Sequence, residues 1–547
     1  MNKEDFEAIR AAHNLAVAHI IENGCDDIFK PPLFSHSIEW DIIKSSSEDF
    51  KKASWGDCLE FLKNCELARN RIGVIYHSLV VKDQFTFRKV SWIDPFDLIK
   101  YLSACILLFE AIEKRRIPAV EEVVHSHRRS RDGSSLFDEE YGYTSFRKKS
   151  GDMSRARIGQ WKVVTDIANF FDRIGNHPLE NHLLNSNCDA RYVSLVRDIL
   201  YFWAGDRRSF GVPVGSDASR ILCEAALINV DSKLKEADVV FLRYVDDIRI
   251  FAATRAEAYK GVQLLTTLLA EEGLSLNSRK TRVYQIKDDD ELVRDPNLQD
   301  QTGHDIIDLS AVVPVLLRTV VSGRTTLSKF YKKPGEDALR SLKKIDKSLI
   351  RQEIIEASDD AFEEIVKKAV KYFVYVDSDT ALLRDLLYRR ITSVFYIVDA
   401  VIKEGGRFSP SKREEIKNTI IAGVEPESGA YPLQIPIFRL FGSPGYEDSR
   451  LITSLVDSHR LGDNLLFLRE AITLNYRQLD RARIRTLALE HFRNVPNFVR
   501  RAIFLAVKDA PQLSEDERRP LLKNMLQATD DWFIGEMAKT TLTPATS

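Results

Sequence analysis

Phe241-Leu242-Arg243-Tyr244-Val245-Asp246-Asp247-Ile248-Arg249-Ile250-Phe251-Ala252 is the stretch on which the reading of this chain turns. Two adjacent carboxylates separate two apolar, strand-like runs, the pattern of a hairpin with an acidic tip. Acidic pairs recur elsewhere, at Asp26-Asp27, Asp289-Asp290, Asp359-Asp360 and Asp530-Asp531, but in polar surroundings. A pair set between apolar strands must be either a solvated turn or a metal site, because uncompensated carboxylates beside a core are costly.

Working outward, Trp161-Lys162-Val163-Val164-Thr165-Asp166-Ile167-Ala168-Asn169-Phe170-Phe171 is an apolar strand that ends on Asp166 and passes into an aromatic turn. A carboxylate there can converge with the acidic hairpin and hold two Mg²⁺ ions about 4 Å apart, the arrangement that serves in-line phosphoryl transfer. The plainer use of Asp166 is a helix N-cap. Between these segments, Gly211-Val212-Pro213-Val214-Gly215-Ser216 is a turn opening a helix, and glycines there let a base or nucleotide come close to the backbone. Downstream, Leu274-Ser275-Leu276-Asn277-Ser278-Arg279-Lys280-Thr281 puts Lys280 after an alternating run, within reach of a phosphate or simply on a charged hairpin.

The rest of the chain frames these segments. With 79 Lys+Arg against 81 Asp+Glu in 547 residues, it is no uniformly basic nucleic-acid coat, and a 44% hydrophobic content excludes general disorder. Six scattered cysteines without a C-x-x-C pair fit buried thiols in a reducing cytoplasm. The N-terminus lacks the apolar core of a signal peptide. The longest apolar runs, Tyr101 to Phe109 and Ala311 to Leu317, fall short of the ~20 residues of a membrane span.

Three parts follow from patterning. Residues 1–125 read as helical, with apolar positions of Phe96 to Ile112 at helical spacing and Leu59, Leu62 and Leu67 on an earlier one. Residues 126–325 open with a basic, loop-rich stretch (Arg128 to Arg157) and continue as alternating strands and helices, interrupted by an acidic run from Lys287 to Asp305. Residues 326–547 read as helical hairpins, including Ala361 to Val374, Leu382 to Lys403, Asp463 to Leu474, Arg481 to Phe492, Phe498 to Val507 and Pro520 to Gln527. No fixed repeat period is present.

Taken in order, D-I-x-x-F-F-x-x-I, G-x-P-x-G-x-x-x-S, Y-x-D-D and L-x-L-N-x-x-K-T resemble motifs A to D of the reverse transcriptase palm. The resemblance implies an α+β right-hand fingers and palm, followed here by an all-α, HEAT-like repeat domain. It implies that Asp166 and Asp246 hold both Mg²⁺ ions, with Asp247 a third carboxylate and the Ile167 carbonyl a backbone ligand. Phe171 falls at the sugar gate that selects deoxynucleotides, Gly215 in the turn behind the incoming nucleotide, and Lys280 near the pyrophosphate. Arg128 resembles the fingers arginine that grips the triphosphate, with Arg147, Lys148, Arg155 and Arg157 as further basic candidates.

Motif B, read as G-V-P-V-G-S-D-A-S-R-I-L-C-E, and the helical flanks resemble the abortive-infection branch of bacterial defence reverse transcriptases, close to prophage-encoded Abi polymerases. That branch implies an antiviral DNA polymerase that works in the cytoplasm as a homo-oligomer. It would use dNTPs without a nucleic-acid template and begin DNA on a protein hydroxyl, so the product would stay covalently attached. Tyr141 and Tyr143 are the candidate priming residues. An RNA-templated defence enzyme and a catalytically vestigial scaffold that binds a phage protein are the alternatives.

Overall fold

The β-branched run Val163-Val164-Thr165 and the alternating Ile248 and Ile250 favour extended backbone, and in the computed structural model they form the centre of a sheet. The structure describes residues 2–25, 37–67, 72–81, 87–205, 209–287, 331, 333–356, 362–427, 430–458 and 465–542. These divide into two compact units, one drawn from 1–27, 47–76 and 91–295, the other from 28–46, 77–90 and 296–547. Most of the acidic interruption, from residue 288 on, and the apolar run Ala311 to Leu317 lie outside the described residues.

Six strands are described. β1 (Tyr76–Val81) pairs with β2 (Phe87–Trp92), a hairpin that the sequence reading missed within a part expected to be helical. β3 (Trp161–Asp166), β4 (Val240–Tyr244), β5 (Asp247–Ala252) and β6 (Arg282–Gln285) form an antiparallel sheet in the order β4-β5-β3-β6. The expected strand runs thus coincide with β3, β4 and β5. Register sets the outcome: pairing Val163 with Ile250 and Thr165 with Ile248 brings Asp166 opposite Asp247 at the sheet's end.

The helices up to the last strand are α1 (Lys3–Asn23), α2 (Ile38–Ser45), α3 (Ser47–Asn64), α4 (Pro95–Arg115), α5 (Tyr143–Arg155), α6 (Phe170–Arg173), α7 (Asn176–Asn185), α8 (Ala190–Ala204), α9 (Asp217–Ala226), α10 (Ile228–Glu236) and α11 (Arg255–Glu271). In the first unit α4 is the hub, packing on α1, α3, α8 and α9. Its sequence explains why: Asp94 accepts from the Phe96 amide at 3.2 Å, Pro95 opens the first turn, and Leu98, Leu102, Cys105, Leu108, Phe109 and Ile112 are buried. α3 stops at Asn64, leaving Leu67 beyond the helix it was expected to extend. α11 begins with a reciprocal cap, Thr254 accepting from the Glu257 amide while Glu257 accepts from that of Thr254, and covers β3 and β5.

The basic stretch 128–157 is not only loop, since α5 occupies its second half. Its buried face is Phe146, Ser150 and Ser154, at i, i+4 and i+8. Two serines on that face leave no apolar period to read. Cys58, Cys105, Cys188 and Cys223 are buried. Among the described residues no helix is long and apolar enough to cross a membrane.

In the second unit the chain runs through α12 (Glu336–Leu342), α13 (Lys347–Glu356), α14 (Phe362–Tyr375), α15 (Thr380–Arg389), α16 (Val394–Lys403), α17 (Pro410–Val424), α18 (Tyr431–Phe441), α19 (Ser449–Ser458), α20 (Leu465–Asn475), α21 (Arg481–Thr486), α22 (Asn497–Asp509), α23 (Glu515–Gln527) and α24 (Trp532–Leu542). Helices pack on the next but one: α13 on α15, α14 on α16, α15 on α17, α16 on α18, α18 on α20, α20 on α22 and α22 on α24. The run Leu382 to Lys403 is two helices, broken at Arg390, whose backbone is extended at φ −157° and ψ 105°. The apolar pattern continues across that break, so periodicity alone passes over it.

A buried ionic cluster holds α2 within this unit. Glu39 takes Arg469 at 2.6 Å and Arg501 at 3.0 Å, and Arg501 also pairs with Asp531 at 2.6 Å while lying over the Phe533 ring. Burial alone would push the Glu39 carboxyl up, but the two guanidinium groups bring it below its ordinary value.

Candidate active site

The hairpin between β4 and β5 turns in two residues, Val245 and Asp246. The Ile167 amide donates to the Asp246 carbonyl at 3.1 Å, and the Asn277 amide to the Asp166 carbonyl at 2.8 Å. Ala168 bonds to the Ser275 carbonyl, and Ile167 pairs with Leu276 as an isolated bridge. The segments carrying Asp166, the acidic hairpin and Lys280 are therefore laced together by backbone bonds. Asp166 is not used as a helix cap; Asn169 precedes α6.

Asp166 and Asp247 are buried, and Asp246 is partly exposed. Burial pushes the Asp247 carboxyl well above its usual range, and the neighbouring Asp246 and Asp166 add to the shift against Arg249 and Lys280. Lys280 Nζ donates to Asp166 Oδ2 at 2.5 Å, whereas Asp166 Oδ1 is buried without a hydrogen-bond partner. Among the described residues no three or more His, Cys, Asp or Glu side chains are grouped so as to hold a metal ion, and the Lys280 ammonium sits on one of the Asp166 oxygens. The donor set nevertheless suits a hard divalent cation: three carboxylates at one corner, an orphaned oxygen, and a carboxyl that resists ionising without added positive charge.

Around this corner, Gly215 has φ +110°, a conformation that side chains rarely adopt, and the following Ser216 caps α9. Phe171 is half-buried beside the buried Phe170, and its carbonyl accepts from the Val212 amide at 2.9 Å, joining the aromatic turn to the glycine turn. Tyr143 packs edge-on against Tyr244, with ring centroids 5.3 Å apart, and burial and Asp247 raise its phenol to about 12. The Tyr141 hydroxyl donates to the Ala119 carbonyl at 3.1 Å.

Arg128 is placed differently from the triphosphate grip that the sequence resemblance implied. It is 1% exposed, and its three guanidinium nitrogens donate to Val124 O, Glu113 and Ile117 O. As built, it pins its own loop. Of the other basic candidates, Arg155 pairs with Asp152, Arg157 lies over the Phe251 ring, Arg147 over that of Tyr143, and Lys148 is exposed.

The sequence reading missed a second layer beneath the carboxylates. Arg243, buried in β4, pairs with Asp231 of α10 at 2.6 Å and Glu224 of α9 at 2.9 Å, and Arg116 also reaches Glu224 at 2.8 Å. Burial opposes ionisation of Glu224, but Arg243, Arg116 and His127 together hold it below its ordinary value. Arg249 of β5 donates to Ser150 of α5 and lies 4.6 Å from the Phe146 ring centroid. The available signal was a charge inside an apolar run: Arg243 and Arg249 flank the acidic tip, and each needs a partner.

Residues 102–304 match the family described as Reverse transcriptase (RNA-dependent DNA polymerase). No curated protein matches the chain. Similar solved structures include telomerase from Candida albicans in complex with a TWJ fragment of telomeric RNA, at 12% identity and a TM-score of 0.31, covering 66% of this chain and 63% of that one. The corresponding Candida tropicalis complex is similar at 13% identity and 0.31, with 67% and 64% covered, and the apo Candida tropicalis telomerase at 12% and 0.30, with 71% and 74%. The chain thus spans less than two thirds of the first two telomerase chains.

Proposed function

We propose that this nucleotidyltransferase, whose residues 102–304 match the reverse transcriptase family, is a DNA polymerase of antiphage defence that extends a protein hydroxyl with dNTPs. The observation that carries the catalytic part is the corner where Asp166, Asp246 and Asp247 meet a single lysine. Asp166 and Asp246 would hold two Mg²⁺ ions, with Asp247 as third carboxylate and the Ile167 carbonyl beside them. Bound there, the ions supply charge stabilisation at the attacking and leaving oxygens of an in-line displacement.

The chain's own residues do the rest. Lys280 balances the Asp166 charge, and its flexible stem would let the ammonium reach the pyrophosphate if bound ions took over that role. Phe171 screens the sugar, and Gly215 keeps its turn open to the nucleotide. The abortive-infection reading is supported by motif B and by helices that pack on the next but one, the habit of a HEAT-like stack. A homo-oligomer and covalently held DNA follow from that same reading. For priming, the nearness of Tyr143 to Asp247 favours it over Tyr141, whose hydroxyl is engaged.

The test is to incubate the purified chain with dNTPs and Mg²⁺, without nucleic acid, and to follow its mass on a denaturing gel. The wild type should shift upward and Asp246→Asn should not, since an amide keeps the volume and loses the charge that binds Mg²⁺. Synthesis only on added RNA would replace protein priming with templated synthesis. Wild-type activity in the Asp246 variant would remove the hairpin from the chemistry.

A further inference from the structure

The two-residue hairpin carrying the acidic tip has a positive φ at Val245, +56°, and not at Asp246. A two-residue turn with φ > 0 only at its first position is the type that normally takes glycine. Here the position is filled by a β-branched residue whose side chain is 3% exposed. Such a conformation persists only where the surroundings over-determine it.

A buried guanidinium reaches the strained residue's carbonyl. Arg243 Nη1 donates to the Val245 carbonyl at 3.0 Å, while Nε and Nη2 fork onto Asp231 at 2.8 and 2.6 Å and Nη2 also meets Glu224 at 2.9 Å. Away from β5 the strand is held by residues 123–125, where the Arg243 amide donates to Val123 O and its carbonyl accepts from the His125 amide, each at 2.9 Å.

We infer that Arg243 is a positioning residue: anchored on α9 and α10, its guanidinium locks Val245 in the left-handed conformation and so aims the Asp246 and Asp247 carboxylates. The inference rests on reading those carboxylates as metal ligands. It gives the turn a reason to depend on the two helices that precede its hairpin in the chain.

Arg243→Lys keeps a cation for Glu224 and Asp231 but lacks the fork that also reaches Val245. In the full-length protein it should weaken Mn²⁺ binding, read by electron paramagnetic resonance without nucleotide, and raise the half-activating Mg²⁺ concentration, each by about tenfold or more. Adding Val245→Gly should return both values toward wild type, since glycine adopts the turn unaided. Arg243 acting only as a counter-ion predicts no such rescue, and its absence overturns the inference.

Asp231→Asn loosens the fork from the other side while leaving Glu224 to balance Arg243. It should produce the same weakening and the same rescue, and it decides the matter if Arg243→Lys does not fold. An inactive Asp246→Asn protein alongside unchanged metal binding in both fork variants would sink the clamp and spare the site. An active Asp246→Asn protein would instead sink the site.

Discussion

The neighbouring phenylalanines after β3 differ in burial, a difference that a sequence does not show. Phe170 is 2% exposed, and its truncation should cost the about 3–5 kcal/mol of a core ring, lowering use of every nucleotide together. Phe171 is half-buried, and its backbone is tied to the glycine turn. Phe171→Ala should therefore admit ribonucleotides and leave dNTP use nearly intact. Side-by-side dNTP and rNTP incorporation measures this, and an unchanged ratio would take Phe171 away from the sugar. The same contrast marks what was legible residue by residue. That Asp166, Asp246 and Asp247 would meet was legible, because each stands at the end of an apolar run and the strand register brings those ends together. Arg128 was read for its charge, but a guanidinium can be spent on backbone carbonyls as readily as on a phosphate, and only the fold decides which.

Elements were legible where burial writes an apolar period. β3, β4, β5 and α4 were visible for that reason, whereas α5 hides a serine face and the β1–β2 hairpin carries little alternation. The contact of α1 with α3 has its own titratable signature. His13 Nε2 lies 2.9 Å from Ser54 Oγ, and burial, helped by Lys51, lowers its imidazole from 6.5 to about 4. The folded protein thus keeps His13 neutral where the unfolded chain takes up a proton. The stability it contributes is complete above pH 6.5 and is lost as pH falls toward 4. Thermal unfolding of His13→Gln across that window should fall less steeply than wild type, and parallel slopes would assign the acid sensitivity elsewhere.

At the scale of the molecule, each of the two units is assembled from segments that alternate along the chain, which hydrophobic pattern does not announce because it records which faces are buried but not against what. α2 belongs with the C-terminal helices, and no local feature of Ile38–Ser45 announces it. Glu39→Gln should destabilise that unit by about 3–5 kcal/mol, since it removes the buried carboxylate that Arg469 and Arg501 share and leaves Arg501 to Asp531. Urea unfolding would measure this, and a loss under about 1 kcal/mol would place the cluster among ion pairs of little net worth. The cluster also bears on how the protein is made. Glu39 meets Arg469 and Arg501 across 430 and 462 residues of sequence. At roughly 5–20 residues per second on the ribosome, α2 waits on the order of half a minute or more for partners not yet synthesised. Throughout that interval a nascent chain carries a segment without its final resting place, and a message cut short downstream yields a protein whose missing end is registered near its beginning.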